Sequence, residues 1–296
     1  MNPYMTYPKD MAGINHSYAP ESGDFKVEAK HINSQSEGSL QYWASVLDHC
    51  DASVRIYKAP KGGRDVFALG RILVKSSHLH KTEDGQPTEV ERDYSYADAN
   101  EVQAIAIARR ALRKELNHVR VPKINFAGKI DGRQVLVQER VPGESLNVAC
   151  WKIDDGQLRV FKQQARDILR ALRDVTTRDG RIVRARDYVV RDPNILTNGR
   201  IQPLEADILF SKDNDDPDMG FMHNDFTMAN CIVKNDKIVG LINWEMAGFF
   251  GWKAAGQVHH RIRSPQRESF ADSPISESML SGPGFLGWND LYDYEH

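Results

Sequence analysis

The chain changes character at Val141-Pro142-Gly143, and that break constrains its fold more than any other feature. After the break the first strong pattern is helical. Leu158, Phe161, Ala165, Ile168, Leu172 and Val175 recur three or four residues apart, one face of a helix packed along its whole length. Before the break, residues 53–58, 65–76, 123–127 and 134–139 read as strands, the last two around an Asp131-Gly132 turn. A short helix is expected over 39–48 and one longer helix over 97–116, with Val102, Ile105, Ala108, Leu112 and Leu116 facing inward. Asp98 is its expected N-cap, with Glu101 as capping-box partner. Arg109, Arg110, Arg113 and Lys114 gather at its C-terminal end, where the helix dipole favours cations. Strands with one helix, followed mainly by helices and a small hairpin, predict an α+β fold of two lobes. The boundaries expected are an N-terminal extension over 1–39, an N-lobe over 40–140 and a C-lobe over 141–296.

Composition narrows the function classes. At 296 residues the chain has room for about two domains or one domain of two lobes. Lys plus Arg number 39 against 41 Asp plus Glu, so the basic excess typical of nucleic-acid binders is missing. Cys50, Cys150 and Cys231 are widely spaced with no CxxC, which fits neither a disulfide scaffold nor a thiolate zinc site. With no apolar leader and no run long enough to span a bilayer, a cytoplasmic location without membrane contact is expected. The Asn15-His16-Ser17 triplet is then a chance match to a glycosylation site.

The chemistry concentrates in residues 221–248, FMHNDFTMANCIVKNDKIVGLINWEMAG. Asn235-Asp236 separates two apolar runs and reads as the turn of a hairpin. Pairing outward from that turn sets residue 230 opposite 241, which brings Asn230 and Asn243 to one side of the hairpin mouth. Asp225 lies five residues upstream of Asn230 on the entering loop. Converging Asp and Asn oxygens suit a hard cation such as Mg2+ carrying nucleotide phosphates. A carboxylate left outside the metal shell can take the proton of an acceptor hydroxyl.

The segment resembles the catalytic core of the aminoglycoside phosphotransferase and choline kinase-like family, which shares the protein-kinase fold. The family's pattern is H-x-D-x-x-x-x-N, a short hairpin, then I-D-W-E-x-A-G. Here His223, Asp225 and Asn230 are followed by Ile242-Asn243-Trp244-Glu245-Met246-Ala247-Gly248. The resemblance implies a bilobal protein-kinase-like fold and transfer of the γ-phosphoryl of ATP (GTP being the less favoured donor) to a small-molecule hydroxyl. It implies Asp225 as catalytic base, Asn230 as metal ligand and His223 as a brace of the loop. Ile72-Leu73-Val74-Lys75 resembles the strand that presents a phosphate-binding lysine, and Glu101 stands where the family places that lysine's partner. Residues 135–146 resemble the last sheet strand and hinge, with backbone groups around Gln138, Glu139 and Val141 facing the adenine.

Asn243 departs from the pattern, where the family carries a metal-binding Asp. An amide keeps one oxygen and loses the charge, so it binds a dication more weakly. Three readings follow: an active enzyme with weaker metal affinity, an enzyme in which Glu245 supplies the carboxylate from the same strand face, or a catalytically impaired nucleotide binder or scaffold.

Blander readings compete elsewhere. Lys75 alone could be a surface lysine, and Gly62-Gly63 a plain turn rather than a phosphate-covering loop. The acidic run 213–218 lacks EF-hand spacing and reads as a solvated loop. His78 and His80 lack a third ligand nearby, Trp244 reads as a core aromatic, and residues 192–207 as a loop over the substrate cleft. His259, His260, Arg261 and Arg263 could meet a substrate or merely close a helix. Oligomeric state and the identity of the acceptor stay open.

Overall fold

A computed structural model describes residues 17–59, 62–80, 92–113, 116–175, 186–212, 214, 219–264 and 288–293. Helix α1 (Glu37–Leu47) opens on Ser36, whose side chain accepts from the Ser39 N–H. Strands β1 (Arg55–Tyr57), β2 (Asp65–Leu69) and β3 (Ile72–Ser76) follow. Then come α2 (Ser95–Leu112), β4 (Ile124–Ile130) and β5 (Arg133–Glu139). The strands form one antiparallel sheet in the order β1-β2-β3-β5-β4. Trp43 and Val46 of α1 pack with Phe67, Ile72, Val74 and Phe126 on one face of it. β3 is buried on both faces. Because side chains alternate along a strand, Leu73 and Lys75 point to the face opposite Ile72 and Val74.

Beyond Gly143 the chain forms β6 (Glu144–Ser145), α3 (Leu146–Ala149) and the long α4 (Asp155–Arg173). Asp154 caps α4 by accepting from the Gln157 N–H at 2.7 Å. The predicted stripe of α4 is buried from Leu158 to Leu172 and packs against Ile105, Ala108 and Leu112 of α2 and against Phe221 and Trp244. The remaining elements are β7 (Asp187–Tyr188), α5 (Pro203–Phe210), β8 (Met219–Met222), β9 (Cys231–Lys234), β10 (Lys237–Leu241), β11 (Gly248–Gly251) and α6 (Trp252–Val258). They add two small sheets, β10-β9-β6 and β7-β11-β8, to a part expected to hold little beyond one hairpin. The fold is α+β, a sheet lobe with helices leading into a mainly helical lobe. Among the described residues no helix is long and apolar enough to cross a membrane.

Several local expectations are corrected. Helix α2 begins at Ser95, and Asp98 is not its cap. Asp93 Oδ1 accepts from the Ser95 N–H at 2.8 Å instead. Asp98 turns inward and binds the Arg64 guanidinium through both oxygens, at 2.7 and 2.8 Å. Val102 is exposed, while Ala97, Glu101, Ala104, Ile105, Ala108 and Leu112 form the buried face. Apolar periodicity places Ile105, Ala108 and Leu112 correctly and fails at Val102, because the first turns of the buried face carry Asp98 and Glu101 instead of apolar residues. The hairpin register also shifts. Lys234 pairs with Lys237 and Val233 with Ile238, but Ile232 then pairs with Gly240 and Cys231 with Leu241. Val239 is therefore an extra residue, a β-bulge whose carbonyl accepts from the Arg120 N–H at 2.8 Å. Asn230 consequently faces Ile242, whose N–H donates to its carbonyl at 3.0 Å, rather than residue 241.

The described part of the expected N-terminal extension packs on the chain break. Tyr18 and Gly143 exchange backbone hydrogen bonds at 2.8 and 2.9 Å, and the Arg140 guanidinium lies 4.3 Å from the Tyr18 ring centre. Gly143 has φ 137°, and a Cβ there would come within 2.7 Å of the Val233 carbonyl oxygen. Gly143→Ala is therefore expected to destabilise the chain by about 2 kcal/mol, read as a lower urea midpoint with unchanged slope.

Among the sequence-level readings, Asn15-His16, Lys61, Lys114 and the acidic run 213–218 apart from Asn214 lie outside the described residues. His80 Nε2 lies 3.0 Å from Asp65 Oδ1, and His78 Nε2 lies 2.7 Å from the Cys50 carbonyl oxygen, so both rings have partners within the sheet lobe. The three cysteines are free and buried, and burial pushes the Cys50 and Cys150 thiols up to about 12.

Candidate active site

β8 delivers the chain to His223, which is fully buried against Trp244 with ring centres 4.5 Å apart. His223 Nδ1 accepts from the Asp225 N–H at 3.2 Å, so its ring proton sits on Nε2 and is donated to the Ile242 carbonyl at 2.9 Å. Burial pulls this imidazole down to about 4, which keeps it neutral. The ring thus ties the loop carrying Asp225 to the end of β10. Asn224 turns the chain with φ 60°, a left-handed conformation that Asn tolerates.

Asp225 Oδ2 accepts from Asn230 Nδ2 at 2.8 Å, and the same nitrogen donates to the Asp225 carbonyl at 2.7 Å. Asp225 Oδ1 lies 3.2 Å from Arg263 Nε, and Arg263 Nη2 donates to the buried Glu205 Oε1 at 2.6 Å. Burial raises the Asp225 carboxyl to about 7, with Arg263 and Asn230 restraining the rise and Glu245 and Glu205 adding to it. Around it, the Asn224 amide and the Thr227 hydroxyl are buried without hydrogen-bond partners. Such orphaned polar atoms are scarce in folded proteins and mark places where a ligand or water completes the bonding.

The other half of the site comes from the sheet lobe. Lys75 Nζ donates to Glu101 Oε2 at 3.0 Å and to Asn243 Oδ1 at 3.1 Å. Burial works against the Lys75 charge, but the Glu101 and Glu245 carboxylates outweigh it and hold its pKa above the usual lysine value. Asn243 Nδ2 donates to Asn230 Oδ1 at 2.7 Å. Glu101, Lys75, Asn243, Asn230, Asp225, Arg263 and Glu205 therefore form one continuous chain of polar contacts. It runs from α2 through β3, the hairpin mouth and the turn that follows α6 to Glu205 on α5.

Of the residues singled out from sequence, Lys75, Glu101, Asn230, Asn243 and Asp225 come together in this way. Glu245 does not share a strand face with Asn243. Asn243 takes a left-handed conformation, φ 62° and ψ 65°, which ends the strand, and Glu245 sits in a 3-10 turn over Trp244–Met246. Burial raises the Glu245 carboxyl, but Lys75, Arg64, Arg200 and Arg92 more than reverse this and hold it below the usual carboxylate range. Glu139 and Val141 lie apart from the polar chain. The Glu139 N–H donates to the Lys123 carbonyl at 2.8 Å, and the buried Val141 side chain packs where Gly240 leaves room.

Sequence reasoning missed several supports. Asn100 is fully buried and donates at 2.9 Å to the carbonyls of both Glu245 and Ala247, while its Oδ1 accepts from the Val190 N–H. Arg200, in the loop expected over the cleft, reaches the Glu245 carbonyl and lies 4.7 Å from the Tyr188 ring centre. Arg263, for which the sequence offers a substrate contact or a helix end, lies against Asp225 from a π turn over His259–Arg263. The one available signal was polar residues, Asn100 and Glu101, on the buried stripe of an amphipathic helix.

The residues present do not fit a divalent cation as they are folded. The Asn243 oxygen faces the Lys75 ammonium, and the Asn230 oxygen is taken by the Asn243 amide. Among the described residues no group of three His, Cys, Asp or Glu could hold a metal.

Solved structures similar to this chain include the streptomycin-ATP complex of APH(2")-IIa, at 10% identity, TM-score 0.46, covering 80% of this chain and 76% of that one. APH(3'')-Id from Streptomyces rimosus is 14% identical, with TM-score 0.42 and coverages of 86% and 96%. Macrolide 2'-phosphotransferase MphH from Brachybacterium faecium is also 14% identical, with TM-score 0.40 and coverages of 85% and 87%. No curated protein matches the chain. The model of the phosphotransferase enzyme family matches residues 77–249, from the end of β3 to β11, which is more than half of the 296 residues, so the chain belongs to that family.

Proposed function

We propose that this phosphotransferase moves the γ-phosphoryl group of ATP to a hydroxyl of a small molecule, with Asp225 taking the hydroxyl proton. In that step the acceptor oxygen bonds to the γ-phosphorus as ADP leaves, and the site's contribution is positioning and charge stabilisation. The observation that carries the reading is the buried Asp225 carboxyl, bonded by Asn230 Nδ2 at 2.8 Å beside the unpartnered Asn224 amide and Thr227 hydroxyl; burial pushes it up to about 7. A base poised near the working pH combines a useful ionised fraction with a useful proton affinity. Lys75 spends two of its three N–H groups on Glu101 and Asn243, which leaves one for the α- or β-phosphate of the nucleotide. Backbone groups from Glu139 to Val141 would face the adenine. Residues 40–140 would form the nucleotide-binding lobe and 141–296 the catalytic and acceptor-binding lobe.

A second reading, a nucleotide binder without turnover, is favoured by Asn243, whose amide fills a position that carries a carboxylate in the resembling family. The two are separated by acceptor-dependent ADP release over a panel of hydroxylated metabolites, with Asp225→Asn as the blank. Release above the blank for any acceptor supports transfer. Nucleotide binding without release for every acceptor supports the binder.

A further inference from the structure

We infer that Asn243 makes the hairpin mouth refuse a divalent cation, so that nucleotide affinity in this chain is independent of one; the second clause rests on the nucleotide reading above. The inference stands on the fixed direction of two amides. Lys75 Nζ can only donate, so the group of Asn243 that faces it at 3.1 Å must be the oxygen. The Asn243 nitrogen is then the group that meets Asn230 at 2.7 Å, and its partner must be the Asn230 oxygen. Asn230 is oriented independently, because its other end faces two acceptors of Asp225, the carbonyl and Oδ2. Both amides are thus set by neighbours that cannot exchange donor for acceptor.

Presenting both amide oxygens to one cation would require Asn243 to turn. It would lose both bonds and set its NH2 against the Lys75 ammonium, donor against donor. The turn that carries Asn243 resists this movement, since Asn100 holds the carbonyls of Glu245 and Ala247 at 2.9 Å each. A cation would also find little uncompensated charge. Asp225 already meets Asn230 at 2.8 Å and Arg263 at 3.2 Å, and Lys75, Arg64, Arg200 and Arg92 surround Glu245. An Asp at position 243 would change both conditions at once. It could still accept from Lys75, it could not donate to Asn230, and it would add a negative charge beside the Asn230 oxygen that this leaves open.

The test follows bound Mn2+ by its EPR signal, without nucleotide, in the native chain and in Asn243→Asp. ADP affinity is measured for both proteins by calorimetry, once with Mn2+ and once with EDTA. The native chain should take up no Mn2+ and bind ADP equally in both media, within about twofold, whereas Asn243→Asp should take up Mn2+ and lose about tenfold or more of its ADP affinity on chelation. Stoichiometric Mn2+ on the native chain, or a tenfold loss of its ADP affinity in EDTA, overturns the inference. An Asp variant that still takes up no Mn2+ overturns the role given to Asn243. A native chain that binds neither Mn2+ nor ADP removes the nucleotide reading and leaves the refusal of the cation standing.

Discussion

Asp225→Asn is expected to lower phosphoryl transfer by about 10²–10⁴-fold, the usual contribution of a positioned general base. The fold should survive it. Asp225 Oδ2 accepts from Asn230 Nδ2, while Oδ1 is ion-paired with the Arg263 guanidinium, whose Nε donates to the Asn224 carbonyl. The amide keeps the bond from Asn230 and sets its NH2 beside the Arg263 guanidinium, a loss of about 1–2 kcal/mol, which is offset by no longer burying a charge. The native enzyme should gain activity with rising pH through about 7, because only the ionised Asp225 accepts a proton. The same group shapes stability with the opposite sign. Its folded pKa lies above the unfolded value, so its stabilisation is complete below the unfolded pKa and is lost as pH rises through about 7. His223 and His259 oppose it: burial lowers both to about 4, so their stabilisation is present above the ordinary histidine pKa and is lost as pH falls toward 4. Urea unfolding of native and variant chains from pH 4 to 8 should therefore show the native advantage shrinking as pH rises. A variant with native turnover would remove Asp225 from the reaction.

What the sequence made legible, and what it hid, follows from how local each determinant is. The α4 stripe and the Asn235-Asp236 turn are set by residues within a few positions of one another, and both appear where periodicity and turn chemistry place them. The proximity of Lys75 to Glu101 was readable only by resemblance, since 26 residues separate them. The Val239 bulge was hidden because its cause is remote: the Arg120 N–H claims its carbonyl from the other side of the break. Asp98 looked like a cap because caps are local, yet its partner, Arg64, lies 34 residues upstream on the edge of β2. Arg263 carries no local pattern at all. Its importance comes from two carboxylates, Asp225 and Glu205, that reach it from 38 and 58 residues earlier in the chain. For Lys75, Asp98 and Arg263 a buried charged side chain was decided by a distant partner, because burial without one costs several kcal/mol.

Lys75→Met should destabilise the chain by about 3–5 kcal/mol, because it leaves a buried carboxylate without its counter-ion. Glu101 is fully buried, and its remaining contact is the Trp244 N–H at 3.4 Å. Asn243 Oδ1 loses its donor in the same change. For a chain of this size the thermal midpoint should drop by about 10 °C. Stability alone cannot distinguish a structural ion pair from a ligand-binding lysine, since both would suffer. The double variant Lys75→Met/Glu101→Leu separates them. Replacing a whole buried ion pair with apolar side chains of similar volume is about neutral, so the double variant should regain most of the lost stability. If the third N–H of Lys75 serves a nucleotide phosphate, ADP affinity stays lost in that restored protein, by about tenfold or more. A double variant that is both stable and binds ADP as tightly as the native chain would make Lys75 a brace between β3 and α2, with no part in holding phosphate.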